Sequence, residues 1–262
     1  MTKSISPVRF IAAIIIAFVG MTASAYAGGG GGKPGGTPAG TYLIPDVPYH
    51  GQIYTEDCET AALQMALAHE GIHVSQARLL EAEVVSTRPP VIDAAGNVVR
   101  WGNPFKTFVG FPNSASISTY YNASAGYGTY APNIARVARR FGGRVIWEGT
   151  GLSRAALVRA VRKGHPVIAW VGDVAGKMRH APLSYWTAWD GARVPYPTPS
   201  SGIYEHCVLV AGITPSGPYI DDPLDGARSG SDINPTVGPG VVSWSSFLAG
   251  FSTFHGMAVI LQ

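Results

Sequence analysis

Five stretches of the chain repeat apolar residues at helical spacing. In the first of them, Ala62, Met65 and Ala66 share one face, and Gly71 is suited to end the helix. Ser75 is suited to cap the second. The pattern predicts α-helices over about residues 58–70, 75–84, 132–141, 153–163 and 243–249.

Short continuous apolar runs predict buried strands over residues 166–171, 207–211, 219–220 and 257–261. Because helical segments dominate the first half of the chain and strands the second, we expect an α+β fold. Residues 88–130 show no sustained period and are rich in glycine, asparagine, serine and aromatic residues. We expect an ordered loop there, and its part from Trp101 to Tyr130 is our candidate for one wall of a binding cleft.

The first 27 residues have the pattern of a secretory signal peptide. Lys3 and Arg9 form the positive start, residues 10–19 are apolar, and residues 25–27 read Ala-Tyr-Ala, a small-residue cleavage site. We expect cleavage after Ala27 and an exported protein, either secreted or exposed in a periplasm or cell wall. A retained N-terminal anchor is the alternative, although the apolar run is too short to span a bilayer.

The remaining chain divides into a linker and one domain. Residues 28–40 are rich in glycine and proline and predict a flexible linker. Residues 41–262 have the length of a single domain. We expect this domain to be a monomer that does not insert stably into a membrane once the signal peptide is removed.

Charge and motif content exclude several classes of function. Only 13% of the residues are charged and the formal net charge is +3, without a basic stripe, so we expect no nucleic-acid partner. The sequence contains no His-Glu-x-x-His motif, no Cys-x-x-Cys motif and no phosphate-binding loop. We therefore expect neither a metal nor a cofactor.

The chain has two cysteines, and the surroundings of Cys58 favour a nucleophilic thiol. Cys58 begins the first predicted helix, where unpaired N–H groups and the helix dipole stabilise a thiolate. Gln52, a short distance upstream, could offer its amide to a developing oxyanion. His206 begins a predicted strand and Asp222 follows the next one, so they could act as general base and orienting carboxylate. Together these residues indicate Cys-His-Asp hydrolysis.

Two acidic residues leave this interpretation open. Asp221 is a rival of Asp222, and side-chain alternation allows only one of them to point at His206. Glu59 suits the helix dipole at the start of the helix, but its charge beside Cys58 would oppose formation of a thiolate. The sequence does not decide which of these two effects of Glu59 is larger.

The second cysteine, Cys207, directly follows His206. If His206 faces Cys58, alternation along a strand should turn Cys207 away into the core, where a free cysteine behaves as a small apolar residue. A disulfide between Cys58 and Cys207 is the alternative in an exported protein, and it would disable the nucleophile.

Eight segments, in this order, resemble the C39-like cysteine peptidases of the papain-like superfamily. They cover most of the chain from about Pro45 onward: Val-Pro-Tyr-His-Gly-Gln at 47–52, Asp-Cys-Glu at 57–59, Phe-Val-Gly-Phe-Pro at 108–112, Gly-Thr-Tyr-Ala-Pro at 128–132, Gly-His-Pro-Val at 164–167 with Trp170, Glu-His-Cys-Val-Leu-Val-Ala-Gly at 205–212, Asp-Pro-Leu-Asp-Gly at 222–226 and Gly-Met-Ala-Val-Ile at 256–260.

The resemblance implies a papain-like α+β fold. In that fold an N-terminal helical part, with the catalytic cysteine at a helix start, packs on an antiparallel sheet that carries the histidine and the aspartate. The resemblance also implies that Cys58 is the nucleophile, His206 the base, Asp222 the orienting residue and Gln52 the oxyanion donor. Cys207 stands where the family pattern leads us to expect a small apolar residue.

These observations predict an exported, cofactor-free thiol hydrolase that cleaves peptide or amide bonds in peptide or protein substrates. One alternative uses the same three residues to cleave cell-wall peptides, as a peptidoglycan amidase or endopeptidase. The other is a secreted binding module without activity, whose site is degenerate or closed by the Cys58–Cys207 disulfide.

Overall fold

The structure, a computed structural model, describes residues 40–113, 124–174, 176–224 and 239–262. The predicted signal peptide, 1–27, and all but the last residue of the predicted linker, 28–40, lie outside the described residues and stay predictions.

Five α-helices form within the described residues, close to the predicted positions: α1 (Cys58–His69), α2 (Gln76–Glu83), α3 (Ala131–Arg140), α4 (Arg154–Arg162) and α5 (Trp244–Thr253). The predicted cap of α2 is present, because Oγ of Ser75 accepts the N–H of Arg78. Ser153 caps α4 in the same way. The fifth helix continues beyond the predicted end at residue 249.

The strands of the described chain are β1 (Tyr42–Leu43), β2 (Val85–Ser86), β3 (Val91–Ile92), β4 (Val98–Trp101), β5 (Phe108–Gly110), β6 (Gly126–Gly128), β7 (Val145–Gly149), β8 (Val167–Val174), β9 (Lys177–Met178), β10 (Leu183–Ala188), β11 (Arg193–Pro197), β12 (Tyr204–Ile213), β13 (Pro218–Asp221), β14 (Gly240–Val241) and β15 (Ala258–Leu261).

The largest sheet is antiparallel and contains every strand predicted from an apolar run. Its order is β14-β13-β12-β8-β15-β7, with β1 added beside β12 and β9 beside β8. The predicted strands are β8, β12, β13 and β15, and they lie next to one another in the middle of this sheet. The α+β prediction is confirmed.

Residues 88–130 are not a continuous loop, and that part of the prediction is wrong. Strands β3 to β6 lie there. They belong to two smaller sheets, β11-β10-β4-β3 and β2-β5-β6, whose other strands come from outside these residues. These strands have two to four residues each, which is too short for a period to show in the sequence. The β10–β11 hairpin was also not predicted, because two prolines in β11 argue against a strand anywhere but at a sheet edge, where β11 lies.

The large sheet separates two apolar clusters. On one face, Trp170, Cys207 and Leu209 pack with α1 and α3. On the other face, Val208 and Val210 pack with residues of α4 and α5. Alternation along β12 produces this division, since neighbouring side chains of a strand point to opposite faces.

Helix α1 is buried on most sides, which the sequence pattern did not predict. It is enclosed from Cys58 to Leu63 and again from Met65 to Leu67. It packs between β12 and β8 on one side and α2 and α3 on the other. The small residues Ala61, Ala62 and Ala66 allow this close approach, since none of them has any exposed surface.

Aromatic side chains fill the core between α1 and the smaller sheets. Trp101, Tyr127 and Tyr130 are buried. Tyr127 packs edge-on against Trp186 at 4.9 Å between ring centroids. The prediction that the aromatic residues of 101–130 line an open cleft is therefore wrong for these three residues, because their rings form the protein interior. No helix within the described ranges is long and apolar enough to cross a bilayer.

The two-sided burial of the large sheet predicts unequal effects of one substitution at two strand positions. Ile168 in β8 has no exposed surface, whereas Ile146 in β7 is 49% exposed. We expect Ile168→Ala to lower the free energy of unfolding by about 2–5 kcal/mol, because it leaves a cavity. Ile146→Ala should change it by about 0.5 kcal/mol or less. Urea denaturation of both variants tests this, and equal losses would contradict the assignment of the buried face.

Candidate active site

Cys58 is the first residue of α1 and belongs to the apolar cluster on the α1 face of the large sheet. Its side chain is buried, with 6% of the residue exposed. The first N–H groups of a helix have no partner within the helix, so the Cys58 N–H is directed out of the helix end. This position is the one that the sequence predicted for a nucleophilic thiol.

His206 and Asp222 are in direct contact. Nε2 of His206 lies 2.8 Å from Oδ1 of Asp222, and both side chains are largely buried. Asp222 is held in place because its Oδ1 also accepts the N–H of Leu224 at 2.9 Å and its carbonyl oxygen accepts the hydroxyl of Tyr49 at 2.8 Å. Asp221 belongs to the adjacent β13 and is paired with Leu209, so it is Asp222 that meets the histidine.

The surroundings of His206 favour its charged form. Burial by itself lowers the pKa of the imidazole, but the charge and hydrogen bond of Asp222 outweigh it. With further contributions from Asp173 and Glu59, they raise the pKa of His206 to about 9. The start of β12 lies near the start of α1, since a carboxylate oxygen of Glu205 is within 4.8 Å of the ligand atoms of Cys58 and Glu59.

Cys58 makes its hydrogen bond with its own neighbour. Its Sγ donates to Oε2 of Glu59 at 3.4 Å. In the described part of the chain, no hydrogen bond joins Sγ to His206. The pKa of Cys58 is raised well above its ordinary value, first by burial and then by the charges of Glu59 and Glu205.

Gln52 lies in the loop before α1, and its amide is engaged there. Nε2 donates to the carbonyl oxygens of Tyr54 at 2.8 Å and Thr55 at 3.0 Å. Both amide hydrogens are used by these bonds. The oxyanion role expected for Gln52 therefore requires one of these two loop contacts to open.

Cys207 is a buried free cysteine, as expected for a core position, but it does not point away from Cys58. It packs in the same apolar cluster as Cys58, on the α1 face of the sheet. Both cysteines are free thiols in the structure. The register explains this, since Cys207 stands opposite Trp170 in β8, whose side chain faces α1. By the same alternation His206, which stands opposite Val171, has the parity of the other face. The expected arrangement, with His206 facing Cys58 and Cys207 turned away, is therefore wrong, and His206 can approach Cys58 only near the start of β12.

Two carboxyl groups near Cys58 were not identified as a pair from the sequence. The ligand atoms of Cys58, Glu59 and Glu205 lie within 4.8 Å of one another. Their approach does not require a metal ion, because the Sγ–Oε2 hydrogen bond joins two of the three groups and the raised pKa of Glu205 favours its neutral form. Burial, and to a smaller extent the charges of Glu59 and Glu56, raise the pKa of Glu205 well above its ordinary value.

No sequence signal placed Glu205 beside Cys58. Glu205 and Cys207 are two residues apart on one strand, so they share a face, and the expectation that Cys207 faces away from Cys58 turned Glu205 away as well. Asp173, which contributes to the pKa of His206, carried no sequence signal either. It reaches the site only because β8 pairs with the start of β12, where Asp173 stands opposite Tyr204.

Comparison with known proteins identifies the family of this site. The model of the Peptidase_C39 like family matches residues 44–247, which is most of the chain. The chain belongs to the Peptidase_C39 like family. This match includes Cys58, His206 and Asp222, and it confirms the resemblance noted in the sequence.

A curated relative is the uncharacterized protein YvpB of Bacillus subtilis (strain 168). It is 28% identical over 166 residues, which are 63% of this chain and 57% of YvpB. The chain thus spans less than two thirds of that relative's length.

Two solved structures were also found. The crystal structure of a protein from Bacillus anthracis, described as a C39-like peptidase, has a TM-score of 0.61 and 22% identity and covers 85% of this chain and 97% of that one. The peptidase domain of Streptococcus ComA, a bi-functional ABC transporter, has 17% identity over 82% of this chain and 97% of that domain. Its TM-score of 0.43 is too low to carry an argument. The first likeness supports the C39-like, papain-like fold.

The buried carboxyl groups predict that the protein loses stability as the pH rises. The pKa of Glu59 is raised to about 7, chiefly by burial, so the folded state binds its proton more tightly than the unfolded state does. This stabilisation is complete below the unfolded pKa of about 4.3 and is lost as the pH rises through 7. For Glu59 alone, we expect the free energy of unfolding to fall by about 3 kcal/mol between pH 5 and pH 8.

Urea denaturation at pH 5 and pH 8 measures this difference. Glu59→Gln should reduce it, because an amide does not titrate. The raised pKa values of Glu83 and His206 act in the same direction, so the variant should retain part of the dependence. A protein that is more stable at pH 8 than at pH 5 would contradict the burial of these protonated groups.

Proposed function

We propose that this protein is a thiol hydrolase that cleaves peptide or amide bonds, with Cys58 as nucleophile and His206 and Asp222 as its acid–base pair. The observation that carries the proposal is the 2.8 Å contact between His206 and Asp222 on the sheet against which α1, headed by Cys58, is packed. Membership of a peptidase family supports the same class of reaction.

Each of the three residues has a role suited to its position. The Cys58 thiolate attacks the carbonyl carbon, and the N–H groups at the start of α1 are suited to stabilise the oxyanion. His206 gives a proton to the leaving amine and takes one from the water that hydrolyses the thioester. Asp222 holds the ring through Nε2, so Nδ1 is the nitrogen for these transfers.

The proposed substrate is a peptide or protein outside the cytoplasm, including the peptide part of a cell wall, and the proposed enzyme is a monomer. The signal-peptide pattern of residues 1–27 supports export.

Cys58→Ala should abolish hydrolysis while the fold persists, because Ala removes the nucleophile and little volume. A mixed fluorogenic peptide library and purified cell-wall peptidoglycan should be assayed separately, so that release of peptides from only one of them defines the substrate class. Cys207→Ala is the matched control and should retain activity. Full turnover by Cys58→Ala would overturn the proposal.

His206→Ala should lower kcat/KM by about 10²–10⁴-fold, because it removes the group that transfers protons. Asp222→Asn keeps the shape of the side chain but not its charge, and should lower kcat/KM with an acid shift of the pH profile, since the Asp222 charge raises the pKa of His206. An unchanged pH profile in Asp222→Asn would show that this carboxylate does not act through the imidazole.

A further inference from the structure

Glu59 is held so that its two carboxylate oxygens point in fixed directions. Oε1 accepts the backbone N–H of Thr129 at 2.6 Å, and Oε2 receives the thiol hydrogen of Cys58 at 3.4 Å. Gly128 provides the space for Oε1: its φ is +113°, and a Cβ at this position would collide with Oε1. Thr129 is itself fixed, since its carbonyl oxygen accepts the indole N–H of Trp170 at 2.9 Å.

The groups around this pair make two negative charges unfavourable. Apart from His206 and Arg136, the titratable groups that interact with Glu59 or with its neighbours are acids. They are Glu56 and Asp57 just before α1, Cys58 at its start, Glu83 in α2, Glu205 and Cys207 in β12, and Asp222 after β13. Arg136 of α3 acts on Glu83. Glu59 has no exposed surface. A thiolate and a carboxylate 3.4 Å apart in such a place cannot both form readily.

His206 is poorly suited to take the thiol proton. The Asp222 contact favours its imidazolium form, which has donors on both ring nitrogens and no lone pair. The acceptor that already bonds the thiol hydrogen is Oε2 of Glu59.

We propose that Cys58 and Glu59 hold one proton in common, and that Oε2 of Glu59 takes this proton when the thiolate forms. Glu59 is then a further catalytic residue, because it touches the reacting sulfur. Its catalytic meaning rests on the proposed hydrolase function, whereas the shared proton itself does not.

The proton balance of the reaction closes with this assignment. The S–H bond of Cys58 breaks and an O–H bond forms at Oε2 of Glu59, while sulfur bonds to the carbonyl carbon. As the C–N bond breaks, the His206 imidazolium protonates the amine. Water then attacks the thioester and gives its proton to His206, and the departing sulfur recovers its proton from Glu59.

The shared proton predicts a distinctive pH dependence of Cys58 reactivity. At low pH both Cys58 and Glu59 carry a proton. Once the pair has lost one of these two protons, the other is divided between sulfur and Oε2 in a fixed ratio, so the thiolate fraction no longer changes with pH. In the wild-type protein the alkylation rate of Cys58 by iodoacetamide should therefore rise about tenfold per pH unit and then level off from about pH 7 to pH 9. Mass spectrometry of the Cys58 peptide, with a chelator present, measures this rate.

Glu59→Gln should remove the level region. Its amide can keep the Thr129 bond but cannot take a proton, so the rate should continue to rise by about tenfold per pH unit, to about 100-fold between pH 7 and pH 9. Glu83→Gln is the matched control, because Glu83 is a buried carboxyl that bonds Thr60 and not the thiol. It should keep the level region.

Two results would overturn the shared proton: a wild-type rate that rises without levelling, or a level region that persists in Glu59→Gln. A wild-type rate that rises without levelling overturns the proposal even if the variant fails to fold. A level region is assigned to Glu59 only by its loss in Glu59→Gln, because a single thiol of pKa near 7 would also level off. Alkylation requires no turnover, so this outcome is separate from the fate of the hydrolase proposal, which depends on the activity of Cys58→Ala.

Discussion

The antiparallel pairing of β12 with β8 is the constraint on which the rest of the structure depends. It places His206 opposite Val171 and Cys207 opposite Trp170, and so decides which side chains meet α1 and which meet the other core. A slip of one residue would exchange the two sets, because strand side chains alternate. The same pairing brings Asp173 to the start of β12, while the pairing of β13 with the other edge of β12 brings Asp222 to His206.

Buried acidic groups give the site its electrostatic character. Glu59 and Glu83 are fully enclosed, and each is compensated by a specific donor: the N–H of Thr129 for Glu59 and the hydroxyl of Thr60 for Glu83. Hydrogen bonds of this kind offset part of the cost of burying a polar group. The remaining cost is reduced when the carboxyl groups hold protons. Protonation of Glu59 therefore affects both the stability of the start of α1 and the hydrogen bond that the Cys58 thiol makes there.

Sequence and structure agree most closely where local signals are strong. Ser75 and Ser153 predicted the starts of two helices because a cap is a contact within four residues. The hairpin of β10 and β11 was missed because β11 contains two prolines, and the strands β3 to β6 were missed because they are too short for alternation to show. The burial of Trp101 and Tyr130 was missed because, without a periodic pattern around it, an aromatic residue carries no local sign of which side it faces.

The sequence by itself determined the α+β class and the family, and it predicted Cys58, His206 and Asp222 as site residues, because these inferences depend on periodicity and on residue types in order. Tertiary structure decided which aspartate meets His206, that Cys207 shares a core with Cys58, and that Glu59 bonds the thiol. The physical reason is that these contacts depend on the register between strands distant in sequence and on the space that Gly128 leaves beside α1. Neither register nor free space is encoded in any single segment.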